Sequence, residues 1–170
     1  VVAAGAGCCG ALSQHIGRED EAIKAAKINV DAWSKEIAKG GIDAVIINTS
    51  GCGTTVKDYG HLLAHDPAYA KRAKEISAMA KDVSEFLDHH DIGAPKRWSS
   101  LKIAYHAACS LQHGQRVTHQ PNALLKKAGF TVLDIPEGHL CCGSAGVYNI
   151  LQPEISGALR DRKAGHIKAL

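Results

Sequence analysis

The sequence predicts an α/β fold of two similar halves, each a small, mainly parallel sheet with flanking helices. Three observations predict it. Short apolar runs of strand length alternate with long stretches of helical periodicity, the pattern of parallel strands joined by helical crossovers. The doublet Cys8-Cys9-Gly10 near the start recurs as Cys141-Cys142-Gly143 near the end. Each doublet also has one further cysteine, Cys52 or Cys109, placed just after an apolar run.

The elements follow in chain order. Ile23, Ala26, Val30, Trp33 and Ile37 recur at steps of three and four, which predicts an amphipathic helix from Glu19 to Lys39, ended by Gly40-Gly41. Ile42 to Asn48 reads as a buried strand. A second helix is expected to open with Asp66 as N-cap and Pro67 at the first helical position, its apolar stripe formed by Tyr69, Ala73, Ile76, Ala80, Val83 and Leu87. The polar stretch after it makes 91–100 the predicted linker between a first part, 1–90, and a second, 101–170. The second part reads as a strand at Leu101 to Tyr105, a helix around Gln120 to Ala128, a strand at Phe130 to Ile135, and a last helix starting at Pro153.

Composition narrows the classes. With 170 residues, 45% of them hydrophobic, the chain can bury a core. A net charge of +3 is too small to argue for nucleic acid. No apolar stretch approaches the roughly 18 to 20 residues of a membrane span, and no signal-peptide pattern is present. Six cysteines in such a chain imply a reducing, cytoplasmic setting, because secretion would oxidise them. Peripheral association with the inner face of a membrane through partners stays open.

The cysteines carry the chemistry. Adjacent cysteines bridge each other only with strain, so a repeated doublet reads as paired thiolates aimed at a soft metal centre. Cys8, Cys9 and Cys52 form one candidate set of metal ligands, and Cys109, Cys141 and Cys142 another. Both single cysteines fall where a strand should end, the edge at which open α/β folds place ligands. An iron-sulfur cluster is polyanionic, and backbone N–H groups brought close by glycine offset that charge. Gly10, Gly51, Gly53, Gly143 and Gly146 are placed for the role. Cys52 follows its doublet whereas Cys109 precedes its own. A unit reading single, doublet, single would therefore begin before Val1 and end after Leu170, and the chain is expected to be an internal fragment of a two-repeat protein.

Three other readings compete. His106, His113 and His139 with Cys109 and the second doublet could form a zinc site, since tetrahedral zinc accepts both donor types. The doublets could instead be redox thiols. Gly5-Ala6-Gly7-Cys8-Cys9-Gly10 matches the dinucleotide-binding G-x-G-x-x-G, but the next strand ends in Asn48-Thr49 instead of an acidic residue. The basic residues Arg160, Arg162, Lys163 and Lys168 read as the solvated face of a helix.

Three stretches carry a resemblance: Gly7-Cys8-Cys9-Gly10-Ala11-Leu12, the run from His106 to Gly114 around Cys109, and Cys141 to Glu154. The pattern resembles the cysteine-rich CCG domain of electron-transfer proteins. These include the CCG-bearing component of heterodisulfide reductase, that of the anaerobic glycerol-3-phosphate dehydrogenase, lactate-utilisation proteins and, most closely, the iron-sulfur subunit of glycolate oxidase. Thr49 stands where the fuller family pattern has the first cysteine of a closing CxxC, and only Cys52 remains. Four cysteines per completed repeat would suit an ordinary 4Fe-4S cluster. The resemblance implies an electron-transfer subunit of an oxidoreductase complex, with no substrate-oxidising site in this chain. Partner subunits carrying FAD would convert glycolate to glyoxylate, and the iron-sulfur subunit would pass electrons towards quinone or another acceptor. Equivalent complexes acting on lactate, glycerol 3-phosphate or a heterodisulfide keep the same physics.

Overall fold

The computed structural model describes residues 1–90, 93 and 101–170. The chain is α/β, and it forms two compact units, Val1–Val83 and Ser84–Leu170. The expected linker at 91–100 lies outside the described residues, apart from Gly93.

In the first unit the doublet leads directly into α1 (Ala11–His15), and α2 (Glu19–Gly40) follows. Glu19, Asp20 and Glu21 in the first turn of α2 complement the positive end of its dipole. The chain leaves α2 through Gly41 at φ 82°. It then enters β1 (Val45–Ile47), passes α3 (Ser50–Lys57) and α4 (Tyr59–Leu62), and reaches α5 (Ala70–Met79). The helix starts at Ala70 with Tyr69 at its N-cap and not at Pro67, because 67–69 form a turn in which the Asp66 Oδ1 accepts from the Ala68 N–H at 3.0 Å and its carbonyl from the Ala70 N–H at 2.8 Å. A helix unbroken from Asp66 to Leu87 does not form. The chain turns extended at Ala80 (φ −69°, ψ 126°), and β2 (Ala80–Asp82) separates α5 from α6 (Val83–His90).

That break has a physical cause. β1 needs a partner for its backbone groups. β2 lies parallel to it in the register Val45 with Ala80, Ile46 with Lys81 and Ile47 with Asp82. Ala80 and Asp82 are buried and Lys81 is exposed, the period-two pattern of a strand. The core of this unit gathers Ala26, Val30, Val45, Val56, Tyr59, Leu63, Ala73, Ile76 and Ala80 around the buried Cys9.

The second unit repeats the scheme from a different starting point. β3 (Lys102–Ala104) is followed by a π-helical turn at Ser110–Gly114, α7 (Gln120–Lys127) and β4 (Thr131–Leu133). β3 and β4 are parallel, pairing Lys102 with Thr131, Ile103 with Val132 and Ala104 with Leu133. The second doublet comes next, then α8 (Tyr148–Leu151) and α9 (Pro153–Lys168), which starts at the proline as expected. Leu111, Val117 and Ile135 are buried here. β1, β3 and β4 are each shorter than the apolar run that predicts them, because only three residues of each find a partner.

Candidate metal centre

Both doublets are built the same way. Gly10 has φ +86° and Gly143 has φ +87°, a left-handed backbone that a side chain resists. There is also no room for one. A Cβ on Gly10 would lie 3.0 Å from the Ala22 carbonyl oxygen, and a Cβ on Gly143 would lie 2.4 Å from the Ser156 carbonyl oxygen. The third letter of each Cys-Cys-Gly is thus the point where the doublet's loop rests on a helix, α2 in one unit and α9 in the other.

Buried polar side chains hold the first doublet in place. The Asn29 Oδ1 accepts from the Gly7 N–H at 2.8 Å, and its Nδ2 donates to the Cys8 carbonyl at 2.9 Å and the Tyr59 hydroxyl at 3.0 Å. The Tyr59 hydroxyl in turn donates to the Cys9 carbonyl at 2.9 Å. Asn29 thereby occupies an amide of the stretch that matches a dinucleotide-binding loop. Burial drives the Tyr59 hydroxyl far above its ordinary pKa, so it remains a donor.

Cys8 is exposed, Cys9 is buried and Cys52 is half-buried, in the first turn of α3. The fold brings Cys52 against Cys9, with Cys8 nearby. Burial pushes the Cys9 thiol up to about 11, and its hydrogen bond to Cys52 and the proximity of Cys52 and Cys8 act in the same direction. Gly51 and Gly53 flank Cys52 on α3, not on a loop at a strand end. The Gly53 N–H donates to the Thr49 carbonyl at 2.9 Å, so helix formation uses the donor expected to face a cluster. A Cβ on Gly51 would meet nothing within 4 Å.

In the second unit Cys109 precedes the π-helical turn, and Cys141 and Cys142 stand in the loop before α8. All three are half-buried free thiols. Burial raises the Cys109 pKa, Cys141 and Cys142 raise it further through charge and a Cys141 hydrogen bond, and Lys163 opposes them. The Gly143 N–H donates to Cys141 Sγ at 3.3 Å, the donor-to-sulfur contact expected of this glycine. Gly146 is exposed at φ +53°. The Ser156 hydroxyl donates to the Gly143 carbonyl at 2.7 Å.

The loop leading to this doublet is held by basic residues of α9. Arg162 and His166 grip the Glu137 carboxylate, His166 Nε2 at 2.7 Å, and hold its pKa down to about 2, Arg162 having the larger effect. Lys163 is only 5% exposed and donates from Nζ to the Glu137 and Gly138 carbonyls, each at 3.1 Å. The expectation of a solvated basic face holds for Arg160, Arg162 and Lys168 and fails for Lys163, which lies on the inner face with Ser156.

Among the described residues, no group of three or more His, Cys, Asp or Glu side chains is set close enough to hold a single metal ion. A polynuclear cluster distributes its thiolates over several irons, so three converging sulfurs suit it better than they suit one zinc. His113 does not turn towards the thiols, its Nε2 lying 3.1 Å from the His139 carbonyl. His106 Nε2 is buried without a hydrogen-bond partner among the described residues, and burial, then the charge of Lys163, lowers the His106 pKa. Soft donors, a close N–H on sulfur and rigid loops fit a thiolate-held cluster.

Sequence reasoning missed Asn29, Tyr59, Ser156 and Lys163. The signal was present for one of them. Asn29 interrupts the inward stripe of α2, and a polar residue there has to be serving the backbone it faces.

Comparison with known proteins agrees with this architecture. The chain is 37% identical over 164 residues to the glycolate oxidase iron-sulfur subunit of Escherichia coli (strain K12), covering 96% of this chain and 40% of that protein. It is 34% identical to the probable glycolate oxidase iron-sulfur subunit of Bacillus subtilis (strain 168), covering 95% of this chain and 36% of that protein. It is 29% identical to lactate utilization protein A of Shouchella clausii (strain KSM-K16), covering 95% and 66%. The chain thus spans about two fifths of the glycolate oxidase relatives. No solved structure matches it. The cysteine-rich domain family designated CCG matches residues 1–57 and 103–170, so both doublets fall within the match and the chain belongs to the CCG cysteine-rich domain family.

Proposed function

We propose that this chain is the cluster-bearing part of an iron-sulfur electron-transfer subunit in a flavin-dependent oxidoreductase complex, of the glycolate oxidase type. The observation that carries the reading is that, twice, a single cysteine from a distant segment lies against a doublet whose loop is pinned by its glycine. The 37% identity to a glycolate oxidase iron-sulfur subunit, against 29% to a lactate utilization protein, favours glycolate as the substrate of the complex. Residues 1–90 and 101–170 are on this reading portions of two successive CCG repeats, and the paired environments of Gly10 and Gly143 support it.

Cys8, Cys9 and Cys52 would hold one 4Fe-4S cluster, and Cys109, Cys141 and Cys142 the other, each with a further ligand. When bound, such a cluster accepts and releases single electrons at a potential set by its surroundings. The chain supplies the surroundings. The Gly143 N–H withdraws charge from Cys141 Sγ, and Gly10 and Gly143 fix the loops that present the doublets. Asn29 and Tyr59 bind the Cys8 and Cys9 carbonyls, so the first site changes shape little with charge. Hydride removal from glycolate belongs to a partner subunit carrying FAD. No helix among the described residues is long and apolar enough to cross a membrane, which agrees with a cytoplasmic subunit attached to any membrane through its partners.

The test is iron and acid-labile sulfide content with electron paramagnetic resonance on the anaerobically purified full-length protein. Cys142→Ser should remove one cluster signal and spare the other. Zinc or bare thiols in place of iron and sulfide would sink the reading. Glycolate and lactate turnover by the intact complex separates the two substrates.

A further inference from the structure

The two doublet loops rest on their helices in the same way but differ at one position of those helices. Two helical turns beyond the residue that touches the motif glycine, α2 carries Asn29 and α9 carries Lys163. Both are buried, at 1% and 5% exposure, and both reach back to the loop that leads to the doublet. Asn29 does so as a neutral amide bonded to Gly7, Cys8 and Tyr59. Lys163 does so as an ammonium bonded to the carbonyls of Glu137 and Gly138.

The charge of Lys163 is not cancelled locally. The one carboxylate at hand, that of Glu137, is taken by Arg162 and His166, and among the described residues no carboxylate forms an ion pair with Lys163. Lys163 lines a small cleft together with Cys141, Leu140 and Leu159 and with the paired Glu137, Arg162 and His166, so the cation, itself only 5% exposed, and a thiol of the second set share one recess. In such surroundings a fixed positive charge acts over several ångströms with little screening. It favours whichever state of a nearby centre is more negative.

We infer that Lys163 sets the reduction potential of the Cys109, Cys141 and Cys142 centre above that of the Cys8, Cys9 and Cys52 centre, where neutral Asn29 takes its place. The inference rests on the proposed cluster-binding role of these cysteines. Lys163 also braces the 137–138 loop, so it is a positioning residue as well as a source of charge, and a test has to separate the two.

The experiment is a redox titration of the full-length protein followed by electron paramagnetic resonance, with iron and sulfide measured on each sample. Cys9→Ser and Cys142→Ser assign the two midpoints, and in the unaltered protein the second centre should titrate at the higher potential. Lys163→Gln should lower that midpoint alone by a tenfold or greater change in the one-electron equilibrium, about 59 mV, and Lys163→Arg should restore most of it. Full cluster content with an unmoved midpoint in Lys163→Gln would overturn the assignment while leaving the cluster reading intact. Should Lys163→Gln fail to retain its clusters, the order of midpoints in the unaltered protein decides, and a second centre below the first overturns the assignment. Absence of iron and sulfide from the unaltered protein would defeat both.

Discussion

Placing an alanine at Gly143 tests whether the third letter of the motif is steric. The structure gives two separable costs. A left-handed backbone costs an L-residue about 1–2 kcal/mol. The new Cβ would also lie 2.4 Å from the Ser156 carbonyl oxygen, a backbone atom that cannot swing aside, and forced overpacking of this kind costs about 1–3 kcal/mol. Gly17→Ala supplies the control, because Gly17 has φ +79° and its Cβ would meet nothing within 4 Å. Both variants lose the same conformational freedom in the unfolded chain, so their difference isolates the clash. Hydrogen exchange read by mass spectrometry on metal-free protein reports α2 and α9 peptides separately. Protection in α9 should fall in Gly143→Ala by about 1–3 kcal/mol more than protection in α2 falls in Gly17→Ala. Equal losses would refute the steric argument and leave the glycine to be explained by its left-handed backbone alone.

Tyr59→Phe should destabilise the first unit by about 1–3 kcal/mol, because it leaves the buried Cys9 carbonyl and Asn29 amide short of partners; urea unfolding followed by Trp33 fluorescence measures it. In metal-free protein at neutral pH, iodoacetamide should modify exposed Cys8 well before Cys9, which is buried and pushed up to about 11, and the order is read by peptide mass spectrometry. The Glu137 carboxyl, ordinarily at 4.5, is held to about 2 by Arg162 and His166. A depressed carboxylate stabilises the fold above its unfolded pKa, so this contribution should be full above about pH 4.5 and lost as the pH falls towards 2. Glu137→Gln should flatten that part of the acid-unfolding curve.

The long helices were legible because their apolar stripes recur at steps of three and four, as Ile23 to Ile37 show for α2. Proline marked the start of α9 and glycine the end of α2. The cysteines were legible as a set because doublets are rare and these two share a following glycine. β2 was not legible, since Ala80, Lys81 and Asp82 have no strand preference and continue a helical stripe. α3 was hidden behind two glycines and two threonines, poor helix formers that a strand-end reading absorbs more naturally. Lys163 was misread because charge normally marks the outer face of a helix, and only the geometry of the 137–138 loop reveals what it serves.

The strand at Ala80–Asp82 bears on the order in which the first unit can assemble. Local preference would carry α5 straight on towards α6, so early in folding this stretch would be free to form a single rod. Arrival of Val45–Ile47 from far along the chain has to undo one turn of that rod before a parallel pair can close. Non-local closure of this kind is slow and entropically costly. The meeting of three residues with three would therefore be the committing event for the whole unit, and a peptide spanning residues 70–90 in isolation would keep the turn that the protein gives up.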